Sequence, residues 1–84
     1  MMGIEELREL IGKLRNESSD LANKIFKLEN VLYSPRGSEQ FTKNQINLLD
    51  VQLFSMKTYY SILRTRMEDL DDEIRKLEDK WWKF

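Results

Sequence analysis

Twelve apolar or aromatic residues recur at alternating steps of three and four across the second half of the chain. They are Ile46, Leu49, Leu53, Met56, Tyr60, Leu63, Met67, Leu70, Ile74, Leu77, Trp81 and Phe84. A spacing of about 3.5 residues sets them on one stripe of a long helix, and such a stripe needs a second helical surface to cover it. A matching stripe runs through the first segment: Ile4, Leu7, Ile11, Leu14, Ser18, Leu21, Ile25, Leu28 and Leu32, with Ser18 its one polar member. Two such stripes joined by a short polar segment predict an all-α fold, an antiparallel helical hairpin that assembles into an oligomeric helical bundle. Leu49, Leu53, Met56, Tyr60, Leu63, Met67, Leu70, Trp81 and Phe84 are the expected oligomer interface.

Eighty-four residues bound the chain to one helical domain, with a thin core unless oligomerisation extends it. The first helix is expected over residues 4–33. Gly12 and the Asn16-Glu17-Ser18-Ser19-Asp20 stretch weaken its middle and allow a break near 16–20, because glycine is entropically costly and short polar side chains compete for backbone hydrogen bonds. Residues 34–41 read as a loop: Pro35 lacks an amide donor and holds Ser34 extended, while Gly37 tolerates a positive φ. The second helix, 42–84, has two starting devices. Thr42 and Gln45 have capping-box spacing, and Phe41 and Ile46 have the spacing of a hydrophobic staple. Arms of about 45 and about 63 Å follow from the helical rise, so the Trp81-Trp82-Lys83-Phe84 end is expected to overhang its own partner helix.

Composition removes several function classes. Fourteen basic against fifteen acidic residues give a net charge of -1, which disfavours long nucleic acid as a partner. Cys and His are both absent, so there is no disulfide framework, no thiolate or imidazole metal site and no Cys/His or Ser/His catalytic pair. No apolar run reaches membrane-spanning length and the charged N-terminus has no secretory core, so a cytoplasmic protein is expected. Carboxylates cluster over Glu68–Glu73, with Asp69/Glu73 and Glu68/Asp72 at i,i+4 spacing. They spread around the helix, however, and read as a solvated acidic face rather than a metal site. Neither an enzyme nor a cofactor-binding protein is expected.

The near-zero total charge conceals a regional division. Residues 13–36 carry +2 and residues 43–66 carry +3, whereas 67–84 carry -3. A basic middle between acidic flanks suits a compact anion better than an extended polyanion. Around the turn, Ser34 has a hydroxyl, Arg36 a forked guanidinium, and Gly37 permits close backbone approach. Tyr33 and Tyr59 are candidate platforms for stacked bases, with Lys24, Lys27 and Arg66 as basic neighbours. The same residues also fit plain turn chemistry and solvated charge. Leu48, Gln52, Tyr59, Ile62 and Arg66 form a second face beside the main stripe, which suits contact with more than one helix or a bundle core with a polar rim.

The order Leu21, Lys24-Ile25, Leu28, Leu32, then Leu48-Leu49, Gln52, Met56, Tyr59, Ile62-Leu63 and Arg66 resembles a small protein family of tailed and crAss-like phages. That family is similar to the phage anti-CBASS cyclic-nucleotide sponges, whose helical-hairpin protomers form homohexamers. The resemblance covers roughly residues 21–67. It implies a homo-oligomer, a hexamer, in the host cytoplasm that sequesters a cyclic dinucleotide, or in some members a cyclic trinucleotide, without cleaving it, in pockets between protomers. Tyr59, Arg66 and Lys24 belong to the matched pattern. Lys27, Tyr33, Ser34 and Arg36 are ligand candidates from chemistry and position alone. The Pro35-Arg36-Gly37 turn and the Trp/Phe tail depart from the pattern, which leaves a cyclic ADP-ribose derivative open as the ligand. A structural coiled coil or protein-binding adaptor, anchored by Trp81, Trp82 and Phe84, is the competing expectation.

Overall fold

The computed structural model describes residues 2–82, and side chains through Asp79. Helix α1 spans Ile4–Tyr33, a short helix α2 spans Pro35–Glu39, and helix α3 spans Lys43–Trp82. The long helices pack antiparallel as a hairpin measuring 64 × 16 × 15 Å. Forty residues at about 1.5 Å each account for nearly all of that length. Among the described residues no helix is long and apolar enough to cross a membrane.

The two stripes meet along one seam. Leu7, Ile11 and Ile74 are buried at one end, with Ile4, Leu70 and Leu77 packed against them. Ile25, Leu32 and Leu53 are buried at the other, with Leu21, Leu28, Ile46, Leu49, Met56 and Tyr60 around them. Between these clusters Leu14 is 4% exposed and Leu63 is fully buried. Every described member of both stripes is at least half-buried within a single chain.

Helix α1 is continuous through residues 16–20, where the composition allowed a break. Ser18 is buried in the seam, and its hydroxyl donates to the Arg15 carbonyl oxygen at 3.0 Å. The local competition that weakens serine in a helix is thus resolved inside the helix, and the apolar positions on both sides hold it in register. Helix α1 ends as the proline dictates. Ser34 is extended, at φ -84° and ψ 130°, and its amide donates to Asn30.

The expected loop 34–41 contains a helical turn, α2, with Pro35 in its first turn, where the missing amide costs nothing. Gly37 does not use the positive φ that it would tolerate. Its role is close approach: a Cβ there would run into the Val31 carbonyl, which is backbone and cannot swing aside. Gly37→Ala should therefore destabilise the hairpin by about 1–3 kcal/mol, as overpacking does. Gly12→Ala, which meets open space, should be neutral or stabilising, and urea denaturation reads both substitutions.

The start of α3 follows the sequence closely. The Thr42 amide donates to Gln45 Oε1 at 2.9 Å and the Gln45 amide donates to Thr42 Oγ1 at 3.1 Å, a reciprocal capping box. Phe41 and Ile46 are both half-buried. This fixed entry point sets which residues of α3 face α1.

Candidate functional site

Polar contacts between α1 and α3 mark the edges of the hairpin, and near its open end Arg8 Nη2 donates to Glu78 Oε1 at 2.7 Å. On one edge the Tyr59 hydroxyl donates to the Glu17 carboxylate. On the other, Lys57 Nζ lies 3.6 Å from Glu29 Oε2. Residues seven apart on a helix fall on nearly the same side, so Lys24 shares the edge of Glu17 and Arg66 shares the edge of Tyr59. Tyr33, four residues beyond Glu29, belongs to the opposite edge. The candidate residues therefore divide into two sets.

The first set is Lys24, Tyr59 and Arg66, with Glu17 among them. All three candidates are exposed, Tyr59 to 41%. The Tyr59 phenol is held above its ordinary pKa. The hydrogen bond to Glu17 contributes most, then partial burial and the Glu17 charge, while Arg66 pulls the other way. Arg66 is thus close enough for its charge to be felt at the phenol. A raised pKa means that the folded protein holds this proton more tightly. The associated stability is present below about pH 10, the unfolded value, and is lost as pH rises through the folded value. Spectrophotometric titration should place one tyrosine above the others, and Glu17→Gln should bring it down toward the ordinary range.

The second set lies at the turn. Tyr33 and Ser34 line an open groove of about 330 Å³ with Phe26, Glu29 and Asn30. Tyr33 is 68% exposed and presents most of its ring to solvent. Arg36 is exposed on α2 and does not line this groove. Lys27 follows Lys24 by three residues, is exposed, and turns further outward. A second groove of about 300 Å³ lies between the helices, lined by Ile11, Arg15, Arg64, Met67, Glu68 and Asp71. Arg64 also stands over the Tyr60 ring, 5.9 Å from its centroid.

Leu49, Leu53, Met56, Tyr60, Leu63, Met67 and Leu70, expected between protomers, sit instead along the seam within one chain. Leu53 at 3% and Leu63 at 0% exposure have no surface left to offer a neighbour, because α1 already covers them. The other five keep partial exposure. The Trp81 side chain and Phe84 lie outside the described residues. In the acidic segment, Arg75 pairs with Asp71 at 2.9 Å and Asp72 at 3.9 Å, so part of that charge is balanced along the helix itself.

Three residues of interest were not singled out by the sequence reading. Phe26 and Phe54 are 66% and 74% exposed. An aromatic residue lying off the apolar stripe of an amphipathic helix is the signal that would have flagged them. Glu17 had no such signal, since its partner is 42 residues away.

These contacts define an all-α helical hairpin with its apolar stripes joined in one seam and aromatic and basic groups left on its edges. The chain belongs to the Sequestin family, whose model matches residues 5–69. That interval contains all seven ligand candidates and the whole span of the phage-family resemblance, and ends before the terminal Trp/Phe segment. No curated protein and no solved structure matches the chain.

Proposed function

We propose that this protein is a non-enzymatic phage immune-evasion protein that sequesters a cyclic oligonucleotide signal, a cyclic dinucleotide or trinucleotide, in pockets between protomers of a homo-oligomer. The observation that carries this reading is membership of a family whose name denotes sequestration. The geometry adds support. Tyr59 and Arg66 lie two turns apart on the same edge of α3, an aromatic ring and a guanidinium of the kinds that a base and its phosphate call for. The grooves within one chain are open and, at about 300 and 330 Å³, at the lower end of ligand-site volumes, so a second protomer is needed to enclose such a ligand. Since the Tyr59 and Tyr33 sets occupy opposite edges, one ligand reaches both only where protomers meet. A hexamer in the host cytoplasm is the assembly this reading favours.

Binding without chemistry makes the test direct. Protein isolated from infected cells, weighed intact by native mass spectrometry and then denatured, should release an unaltered cyclic nucleotide at a fixed ratio to protomer. Failure to bind any member of a cyclic-nucleotide panel that includes cyclic ADP-ribose derivatives would sink the proposal. A ligand released in altered form would point to an enzyme.

One observation favours a second reading, a structural coiled coil or protein-binding adaptor. Leu48, Val51, Phe54 and Ile62 leave α3 with large apolar side chains in solvent. A heteromeric complex that survives removal of all small molecules would support that reading over sequestration.

A further inference from the structure

Leu48, Val51 and Ile62 are 63, 65 and 48% exposed on the side of α3 turned away from the seam, and Tyr59, 41% exposed, stands at the edge of that face against Glu17 of α1. Their positions are symmetric about Ser55: Val51 and Tyr59 stand four residues to either side, Leu48 and Ile62 seven. Steps of three and four along this set are those of a helix-packing stripe. A stripe symmetric about its own midpoint is complementary to itself when a second copy runs antiparallel.

Charge and hydrogen bonding both permit this face to be covered. The charged residues between 44 and 65 are Asp50, Lys57 and Arg64, which follow at seven-residue steps and share the edge marked by the Lys57–Glu29 pair. At the edge of the face the Glu17 carboxylate of α1 is held by the Tyr59 hydroxyl, and along α3 the face carries no charge until Arg66. Its hydroxyls are satisfied by their own helix: Ser55 Oγ donates to the Val51 carbonyl at 3.0 Å, Thr58 Oγ1 to Phe54 at 3.0 Å and Thr65 Oγ1 to Ser61 at 3.0 Å. Removing water therefore orphans no hydroxyl donor there. Serine at the centre is small enough for two helices to approach closely.

We propose that this face is a two-fold interface with a second copy of this chain, α3 against α3 antiparallel, with Ser55 on the axis. Each Leu48 then lies against the partner's Ile62, and each Tyr59 against the partner's Val51. Direction follows from Arg66. A parallel pair would set two guanidiniums side by side, whereas the antiparallel pair sets each Arg66 at the level of the partner's Asn44. The interface deepens the sequestration reading, on which its claim about the pocket rests: Tyr59, with Arg66 close by, becomes part of a wall to which both copies contribute.

The chain has no cysteine, so single substitutions report geometry cleanly. Ser55→Cys should oxidise to a disulfide-linked dimer at protomer concentrations where the wild type is assembled. Leu48→Cys alone should not, because fourteen residues of offset separate the two thiols by about 21 Å, three times the reach of a disulfide. Mixing Leu48→Cys with Ile62→Cys should restore crosslinking. Self-crosslinking of Leu48→Cys as efficient as that of Ser55→Cys, or a Ser55→Cys protein that stays uncrosslinked, overturns the interface. Nucleotide binding is measured on the same samples. Crosslinking in the predicted pattern without ligand binding leaves the interface standing and sinks sequestration, while ligand binding without the pattern does the reverse.

Discussion

Leu63→Ala should lower the unfolding free energy by about 3 kcal/mol, the cost of a buried cavity in a site that cannot collapse around it. Leu63 is fully buried midway along the seam, between two clusters of core residues. A hairpin this thin has no deeper layer to absorb the loss, so a change of this size removes a large share of its stability. Urea denaturation followed by circular dichroism at fixed protomer concentration measures it, since assembly makes apparent stability concentration-dependent. Phe54→Ala, at a side chain 74% exposed, should change stability by less than about 0.5 kcal/mol in the same experiment. Equal costs at the two positions would mean that the intrachain seam is not the principal core.

Arg66→Ala should weaken capture of a cyclic nucleotide by about 10- to 100-fold, the value of one charge-assisted contact to phosphate. Tyr59→Ala should cost a similar factor through lost base stacking. Glu17 sets the sign of a third measurement. Its carboxylate holds the Tyr59 hydroxyl and lies where an incoming phosphate would meet negative charge. Glu17→Gln should therefore tighten binding while Arg66→Ala weakens it, both read by isothermal titration calorimetry. If neither substitution changes affinity for a ligand that does bind, the anion is held elsewhere, and Tyr33 and Ser34 at the turn become the residues to test.

The hairpin was legible in the sequence because helical periodicity reports a local geometry. Each stripe needs only its own residues, and the Thr42/Gln45 cap needs only four. What composition alone suggested at the weak points was decided by neighbours. The polar stretch around Ser18 stays helical because its hydroxyl turns back onto Arg15 and the stripe continues on both sides. Gly37 serves an approach to Val31 rather than a left-handed turn, and nothing in the local sequence distinguishes those uses.

The candidate site was less legible for the same reason. Tyr33 and Tyr59 are equal candidates along the chain for a base platform, yet they fall on opposite edges once the helices are paired. The pairing register also joins Glu17 to Tyr59, and it spends the α3 stripe on α1, leaving Leu48, Val51, Phe54, Tyr59 and Ile62 among the large apolar side chains of α3 still in water. The sequence by itself determined that two amphipathic helices must cover one another, because burial of a 3.5-residue stripe depends on spacing alone. Which faces remain for a ligand or a second copy was decided only by tertiary structure, because that depends on how one helix is rotated and staggered against the other, a relation between residues more than forty positions apart.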